Sequence, residues 1–486
     1  MSSSRKAAVR ILALLPFLLV LVLHWGPAPP GDATDAYHYL LHGRALSEGA
    51  GYTNTGYIFS PLSPWIGPRV QPPGMAILLF PVFKFFGASV PLMRFVVVLG
   101  AIAFLLLAGD FFAEREGLHL GFSVTMLVGL IPALAVFAAH VYADLVSAAA
   151  LWAVIYIVDS ERPFDFTKLT LITVLGAMAL MTRLTGVALL GALVLFTLLR
   201  YRDFGLRPLI PAAIWCTAGL AALIALGAVI PTWVFDGFFG IYQWITTVNS
   251  YRFALLEITL YPFRSNLAND IYHVLAYGMA ALGMAAWLRT GWNRFVTCFV
   301  VVYVLMILML PLNGAGRYLW PIAPFVLFCM LNGVKTLLGF LVPRLTPARL
   351  DQAVLATAVL LALSSTATLA AAPRQQSLIE DPALQEVVQF VRTMEGAEDA
   401  RVAFVYPRLL TWETRVPAMG LPRRPDLIRP EVVVEELRSK GITHVISLTG
   451  RPESPEEEII RLAMRNAPPM FALLQQGPGF AVYVIR

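Results

Sequence analysis

The chain has 486 residues, of which 58% are hydrophobic and only 14% are charged, and its formal net charge is +6. Soluble domains are about 45–50% apolar and about 25% charged, so this chain carries too little charge to cover a surface in water. The composition excludes a single water-soluble globule and predicts a protein that crosses a membrane several times. Its basic residues are expected to set orientation and to meet anionic lipid head groups, and they give no argument for nucleic acid as a partner.

The chain opens with a short basic segment followed by one apolar run, Ala7–Trp25. This run is longer than the core of a signal peptide and ends without a small-residue cleavage site, so we interpret it as a retained first helix. Further apolar segments bring the predicted number of membrane helices to about eleven. These segments are Pro91–Phe112, Leu118–Ala138, Leu145–Val158, Leu169–Met181, Val187–Leu199, Leu209–Ile230, Ile271–Leu288, Phe295–Leu310, Tyr318–Leu338 and Ala353–Ala372.

The loops between these segments predict the orientation of the chain. Arginine and lysine are concentrated in the alternating short loops that share a side with the N-terminus, among them Arg115, Arg162, Arg202 and Arg344. Positive residues favour the cytoplasmic side, so the N-terminus is predicted to be cytoplasmic. An odd number of spans then places the C-terminal region outside the cytoplasm, and we expect the protein in the inner membrane of a prokaryote.

Two regions have a different composition from the spans. The loop 26–90 contains an amphipathic segment, Asp35–Glu48, and a second short apolar one, Gly74–Phe86, and both are predicted to be helices on the membrane surface. The tail 373–486 has soluble composition and alternates predicted helices and strands, so we expect a small α/β domain there. Its predicted helices are Ala383–Met394, Pro430–Lys440 and Pro455–Asn466, and its predicted strands are Arg401–Tyr406, His444–Leu448 and Ala481–Ile485.

The most informative motif lies directly after the first apolar run. Asp35 opens a predicted helix and is followed by Tyr39, Arg44, Leu46 and Gly49, which lie four, nine, eleven and fourteen positions later. Ionisable residues placed beside membrane helices usually mark a pathway or a site. Further short motifs follow in order along the chain: Gln71-Pro-Pro-Gly74, His140-Val-Tyr-Ala-Asp144, Thr182-Arg-Leu-Thr-Gly186, Tyr251-Arg-Phe-Ala-Leu255 and Arg317-Tyr-Leu-Trp-Pro321.

This ordered set, which spans about Asp32–Pro324, resembles the GT-C glycosyltransferases, and within them the protein O-mannosyltransferases and lipid A aminoarabinose transferases. The resemblance implies a mainly α, polytopic membrane domain (1–372) and a small α/β extracytoplasmic domain (373–486). It also implies an inverting reaction, in which an acceptor hydroxyl attacks the anomeric carbon of a sugar carried on polyprenyl phosphate. The implied partners are this donor, membrane lipids, and a lipid, glycan or protein acceptor at the outer face of the membrane.

That reaction needs a carboxylate to take the acceptor's proton. The resemblance assigns this role to Asp35, and it makes Asp144 the second catalytic carboxylate, which orients the acceptor or binds a metal together with Asp35. For both residues the alternative is a capping role at the start of a helix, where a carboxylate favours the helix dipole. Asp32 is a weaker alternative to Asp35 because it precedes the matched motif.

The reaction also needs cations that hold the phosphate. Arginine stays charged in a low-dielectric place and offers two parallel donors to a phosphate. The alternative for each arginine is to reach the lipid head groups or to pair with a carboxylate such as Glu257. The residues expected to bind the donor phosphate are Arg317, Arg252, Arg183, Arg69 and Tyr318.

A divalent metal is a further hypothesis, although no cofactor is required by the reaction. His38 and His42 lie on the same predicted helix face as Asp35, and His140 is a third candidate ligand. The alternative is that these imidazoles are solvated or paired to a carboxylate. In the aminoarabinose branch acidic and basic residues precede the first proline of the loop motif, whereas Gln71 stands there in this chain.

Two other kinds of protein compete with the transferase. A secondary transporter also places carboxylates and arginines among membrane helices, but usually near the midplane and between inverted repeats. A noncatalytic protein that binds polyprenyl-linked sugars is the second alternative. Asp35 and Asp144 favour the enzyme over the binding protein, and substitution of Asp35 separates the two.

Overall fold

The computed structural model describes residues 3–25, 35–62, 71–225, 255–263, 265–309, 316–370, 380–421, 429–449 and 455–486. Contacts within the chain divide it into two compact units. The first unit comprises Met1–Gly26, Arg94–Ala222 and Thr232–Arg374, and the second comprises Pro27–Met93, Leu223–Pro231 and Gln375–Arg486.

Apolar helices build the first unit. At the start of some of these helices, a side chain accepts a hydrogen bond from a free backbone N–H group. Asp165, for example, accepts one from Lys168 N at 2.8 Å. Buried aromatic rings fill the space between helices. The ring of Phe112 stacks on that of Phe328, with the ring centroids 4.4 Å apart. The α-helices are α1 (Ser3–His24), Val90–Glu116, Leu118–Val128, Pro132–Ala138, Asp144–Val158, Phe166–Thr182, Ala188–Leu199, Tyr201–Phe204, Leu209–Ala225, Asn266–Gly291, Phe295–Met309, Ala323–Leu341 and Pro347–Ala370, and 3-10 turns cover Leu184–Val187 and Gly316–Ile322.

Within the described residues, five helical segments are long and apolar enough to cross a membrane, or six if one bent pair is a single span. The other five predicted spans correspond to apolar helices of 10–17 residues, and the end of the predicted span Leu209–Ile230 lies outside the described residues. The chain is therefore a polytopic helical membrane protein, as predicted. The count of about eleven spans stays a prediction.

The predicted span Leu118–Ala138 is not one straight helix. It consists of Leu118–Val128 and Pro132–Ala138, which are bent by 70° relative to each other. Pro132 occupies the first turn of the second helix and has no N–H group, so it cannot continue the hydrogen-bonding of the first. The bend follows from this proline, which favours the start of a new helix.

Two glycines bring the helices Asn266–Gly291 and Ala323–Leu341 into close contact. A Cβ atom on Gly283 would lie 1.8 Å from the carbonyl oxygen of Cys329, and one on Gly333 would lie 1.9 Å from that of Met279. Both distances are far below van der Waals contact and the obstacles are backbone atoms. The two helices therefore depend on these positions having no side chain.

We expect Gly283→Ala to lower the stability of the folded protein by about 1–3 kcal/mol, because the backbones must separate to admit the methyl group. Gly278→Ala in the same helix is the matched control, since a Cβ atom there meets nothing within 4 Å. The measurement is thermal unfolding of each full-length variant in detergent. Equal unfolding midpoints for the two variants would contradict the close contact.

The second unit contains a six-stranded sheet with the strand order β1-β3-β2-β4-β6-β5. The strands β1, β3, β2 and β4 are parallel, whereas β6 is antiparallel to both of its neighbours. Helices pack Val433, Leu437, Ile459 and Ile460 onto this sheet as a buried core. The strands are β1 (Tyr57–Ile58), β2 (Val402–Ala403), β3 (Ala418–Met419), β4 (His444–Ser447), β5 (Phe471–Gln476) and β6 (Ala481–Ile485).

The tail has the α/β pattern predicted for it. The described helices are Pro382–Thr393, Pro407–Thr414, Pro430–Ser439 and Pro455–Asn466. Three of them agree closely with predicted helices, and β2, β4 and β6 lie within the three predicted strands. The sequence did not predict Pro407–Thr414, β3 or β5.

The loop after the first helix belongs to this second unit. The predicted domain boundary placed the loop 26–90 with the membrane helices, but the structure groups Pro27–Met93 with the tail. The physical reason is that β1 of the loop pairs with β3 of the tail, Tyr57 opposite Ala418. Two parts of the chain that are distant in sequence therefore form one folded unit.

The loop contains two helices, α2 (Asp35–Ser47) and α3 (Gly74–Phe86), at the bounds predicted for them to within one residue. The polar face of this predicted amphipathic helix is buried in the structure. His38 and His42 are only 2% and 1% exposed, as buried as Leu40 and Leu41 on the apolar face. The helix is covered on both faces because it packs against α3 and against Pro407–Thr414 of the tail.

Candidate functional site

A buried ion pair lies in the first unit. Asp144 opens the helix Asp144–Val158, and Arg183 directly follows the helix Phe166–Thr182. Arg183 Nη2 lies 2.9 Å from Asp144 Oδ1, and both side chains are at most 6% exposed. Burying two charges is unfavourable unless they pair well, so this pair holds two helix ends together at a fixed separation.

A second arginine and a tyrosine complete this cluster. Arg317, in the 3-10 turn Gly316–Ile322, places Nη1 3.9 Å from Asp144 Oδ2. The ring of Tyr318 lies 5.1 Å from the guanidinium carbon of Arg183 and 5.6 Å from that of Arg317. Two guanidinium groups lie beside the Asp144 carboxylate, and Arg317 remains 18% exposed. The cluster is suited to an anion that approaches from the side of Arg317.

Asp35 lies in the first turn of α2 in the second unit and is 8% exposed. A carboxylate at this position interacts favourably with the helix dipole. Gln71 Nε2 donates a hydrogen bond to Asp35 Oδ1 at 3.4 Å. Gln71 stands immediately before Pro72, so the start of the second loop motif contacts the start of the first.

Two neighbouring histidines continue the Asp35 face of α2. The ring centroids of His38 and His42 are 4.1 Å apart, and the ring of His42 lies 4.2 Å from that of Tyr52. His42 Nδ1 is 2.5 Å from the carbonyl oxygen of Tyr52, and the Tyr52 hydroxyl donates to the carbonyl oxygen of Gln71 at 2.8 Å. These contacts join Asp35, Gln71, Tyr52, His42 and His38 in one continuous series.

Burial keeps both imidazoles neutral. It lowers the pKa of His42 from 6.5 to about 3 and that of His38 well below 6.5. Below pH 6.5 the unfolded chain takes up protons that the folded chain does not bind, so the free energy of unfolding falls as the pH drops from 6.5 toward 3.

We therefore expect the unfolding midpoint of His42→Gln to depend less on pH across this range than that of the wild type. His119→Gln is the control, because His119 is exposed and its loss should leave the pH dependence unchanged. Thermal unfolding of the full chain in detergent at several pH values measures the slopes. Equal slopes for wild type and His42→Gln would contradict a buried neutral imidazole.

No family model matches the sequence, and no curated protein matches it significantly. Solved structures match its fold. ArnT from Cupriavidus metallidurans, bound to undecaprenyl phosphate, has a TM-score of 0.57 at 14% identity, over 100% of this chain and 98% of that chain. The archaeal oligosaccharyltransferase AglB from Archaeoglobus fulgidus, in complex with an inhibitory peptide and a dolichol-phosphate, has a TM-score of 0.59 at 11% identity, over 99% of this chain and 74% of that chain. The chain has the GT-C fold.

The GT-C fold confirms the predicted fold class and the resemblance drawn from the motifs. Four of the predicted site residues meet in the first unit, namely Asp144, Arg183, Arg317 and Tyr318. Asp35 lies in the second unit. The expectation that Asp35 and Asp144 serve one site stays a prediction. Arg69, Arg252 and Asp32 lie outside the described residues.

The divalent metal stays a hypothesis. Within the described part of the chain, no group of three or more histidine, cysteine or acidic side chains could hold a metal ion. The Nδ1 atoms of His42 and His140 both lie 2.5 Å from backbone carbonyl oxygens, of Tyr52 and Val136 respectively. These contacts involve one ring nitrogen of each histidine.

Sequence reasoning missed two residues of the Asp35 cluster. Gln71 begins the motif Gln71-Pro-Pro-Gly74 and Tyr52 follows the first motif, but the sequence alone indicated no role for either. Their signal was present, since an uncharged polar residue directly before two prolines and a tyrosine after two glycines both favour fixed loop positions. What the sequence could not give was the pairing of the two loop segments with α2.

Proposed function

We propose that this protein is an inverting glycosyltransferase that moves a sugar from a polyprenyl-phosphate donor to an acceptor hydroxyl. The observation that carries the proposal is the cluster of Asp144, Arg183, Arg317 and Tyr318, in which two guanidinium groups lie beside one carboxylate among apolar helices. Such a cluster suits the phosphate of a membrane-embedded lipid, because arginine keeps its charge where water is scarce. The lipid phosphates in the two similar GT-C structures support the same class of donor.

In the proposed reaction the acceptor oxygen attacks the anomeric carbon from the face opposite the phosphate. Asp35 takes the proton of the acceptor hydroxyl as the new carbon–oxygen bond forms. The bond between the anomeric carbon and the phosphate oxygen breaks, and its electron pair stays on that oxygen. The configuration at the anomeric carbon inverts because bond formation and bond cleavage occur on opposite faces.

Arg183 and Arg317 stabilise the charge that develops on the departing phosphate. Preorganised cations are most effective in a site that excludes water, since they need no reorganisation during the reaction. Asp144 orients both guanidinium groups, and Arg317 is the more exposed of the two. The Tyr318 hydroxyl is proposed to add a hydrogen bond to the phosphate. Arg252 and Arg69 remain candidate phosphate ligands on the motifs alone.

The proposed setting follows from the loop charges. The N-terminus is proposed to be cytoplasmic, and the reaction is proposed to occur at the outer face of a prokaryotic inner membrane. The acceptor hydroxyl belongs to a lipid, a glycan or a protein. The second unit, which contains Asp35, is then extracytoplasmic.

The test is release of free polyprenyl phosphate by purified protein in detergent, using a panel of polyprenyl-phosphate sugars. We expect release from at least one donor, together with saturable binding of that donor. Neither release nor binding across the panel would contradict the transferase and favour a transporter. Binding without release would favour a noncatalytic sugar-lipid binding protein.

A further inference from the structure

The arginine of the first loop motif has no part in the proposed chemistry. Arg44, nine positions after Asp35, lies in the last turn of α2 and contacts the tail. Its guanidinium carbon is 5.0 Å from the ring centroid of Trp412, and its Nη1 donates to the Trp412 carbonyl oxygen at 3.5 Å. The motif arginine is therefore a contact between the loop and the tail helix Pro407–Thr414.

Trp412 also contacts α3. Its ring lies edge-on to that of Phe83, with centroids 6.0 Å apart. Phe83 in turn packs on α2 at Gly43, where a Cβ atom would lie 2.8 Å from Phe83 Cε2. Trp412 thus contacts both helices of the loop, beside the close contact of Phe83 with Gly43.

Two further contacts hold the loop to the tail. Arg415 Nη2 lies 3.4 Å from Glu48 Oε1, just after the end of α2. In addition, β1 pairs with β3 in the sheet. The end of α2 distant from Asp35 is therefore held by tail residues, whereas the beginning is contacted by Gln71.

We propose that Trp412 and Arg44 are positioning residues through which the tail fixes the orientation of α2 and hence of the proposed base. This inference rests on the proposed function. Asp35 and Arg44 are separated by about 13 Å along the helix axis, and a helix transmits a rotation over that length with little bending. Displacing a reacting group by about 1 Å lowers a rate by as much as about 100-fold, so a small rotation of α2 is sufficient.

The first test is kinetic and uses the full-length protein. We expect Trp412→Ala to lower kcat about tenfold while the donor KM stays within about twofold, because the base is misplaced and the phosphate site is not. Trp412→Phe should retain most of the rate, since an aromatic ring still contacts both Arg44 and Phe83. Leu474→Ala on the exposed strand β5 is the control within the tail and should match the wild type.

A double-mutant cycle then separates positioning from a general loss of folded protein. If Arg44 acts through Trp412, the variant that combines Arg44→Gln with Trp412→Ala should be no slower than the slower single variant. Multiplicative losses in kcat would mean that the two residues act independently, and would overturn the proposal. A raised KM with an unchanged kcat would also overturn it, because the tail would then act in substrate recognition.

The second test does not depend on the reaction. Hydrogen exchange of the backbone amides in residues 36–47 should be faster in Trp412→Ala than in the wild type and unchanged in Leu474→Ala. Unchanged exchange in folded Trp412→Ala would overturn the proposal whatever the kinetics. If wild-type protein releases polyprenyl phosphate from no donor, the proposed function fails, while the exchange result still decides whether the tail fixes α2.

Discussion

Asp35→Asn is expected to lower turnover by about 100- to 10,000-fold while donor binding is retained. The substitution keeps the size of the side chain and its ability to interact at the start of α2, but an amide cannot accept the acceptor's proton. The measurement is release of polyprenyl phosphate in parallel with the dissociation constant of the donor. Loss of rate without loss of binding identifies a chemical role, since the residue then acts in the transition state.

Asp165→Asn is the matched control for this prediction. Asp165 also stands at the start of a helix, where its carboxylate accepts a hydrogen bond from Lys168 N, and asparagine caps helices equally well. We expect its turnover to equal that of the wild type. If Asp35→Asn also keeps the wild-type rate, Asp35 serves the helix alone and the assignment of the base is wrong.

Asp144→Asn is expected to cause the largest loss of stability, about 3–5 kcal/mol, because it leaves the Arg183 guanidinium buried without its counterion. The two side chains are only 4% and 6% exposed, so water cannot replace the lost carboxylate. The unfolding midpoint in detergent should fall, and donor binding should weaken as Arg183 and Arg317 lose their common orienting group. Thermal unfolding and donor titration measure the two effects.

Two comparisons sharpen this second prediction. Asp203→Asn breaks the ion pair with Arg200, but its side chain is 49% exposed, so the loss should be at most about 1 kcal/mol. Combining Asp144→Asn with Arg183→Gln removes both buried charges and should recover part of the stability, while turnover stays low. If Asp144→Asn and the wild type have the same unfolding midpoint, the ion pair does not stabilise the fold.

The apolar helices and the charged residues at their ends could be located from the sequence because both depend on local features. Asp144, Arg183 and Arg317 each lie beside an apolar segment, and an ionisable residue in such a place must find a partner or a ligand. The motif order then suggested that they belong together, and three of the predicted phosphate-binding residues do meet at Asp144.

The surroundings of Asp35 were harder to predict because they come from distant parts of the chain. The face of α2 that bears His38 and His42 looks solvated from sequence alone, since nothing nearby reveals that other elements cover it. The strand β1 has only two residues, too few to show an alternating pattern. Its partner β3 has no stronger pattern, so the pairing that joins loop and tail had no local signal.

The pairing of loop and tail has a consequence for the synthesis of the protein. Arg44 and Trp412 are 368 positions apart, and translation at about 5–20 residues per second needs roughly 20–70 s to cover that distance. During this time the helix that contains Asp35 has been made but lacks its partner, while the intervening helices enter the membrane. In the proposed enzyme the base is therefore brought into position last. A chain that terminates before Trp412 should remain inactive even when every membrane helix is in place.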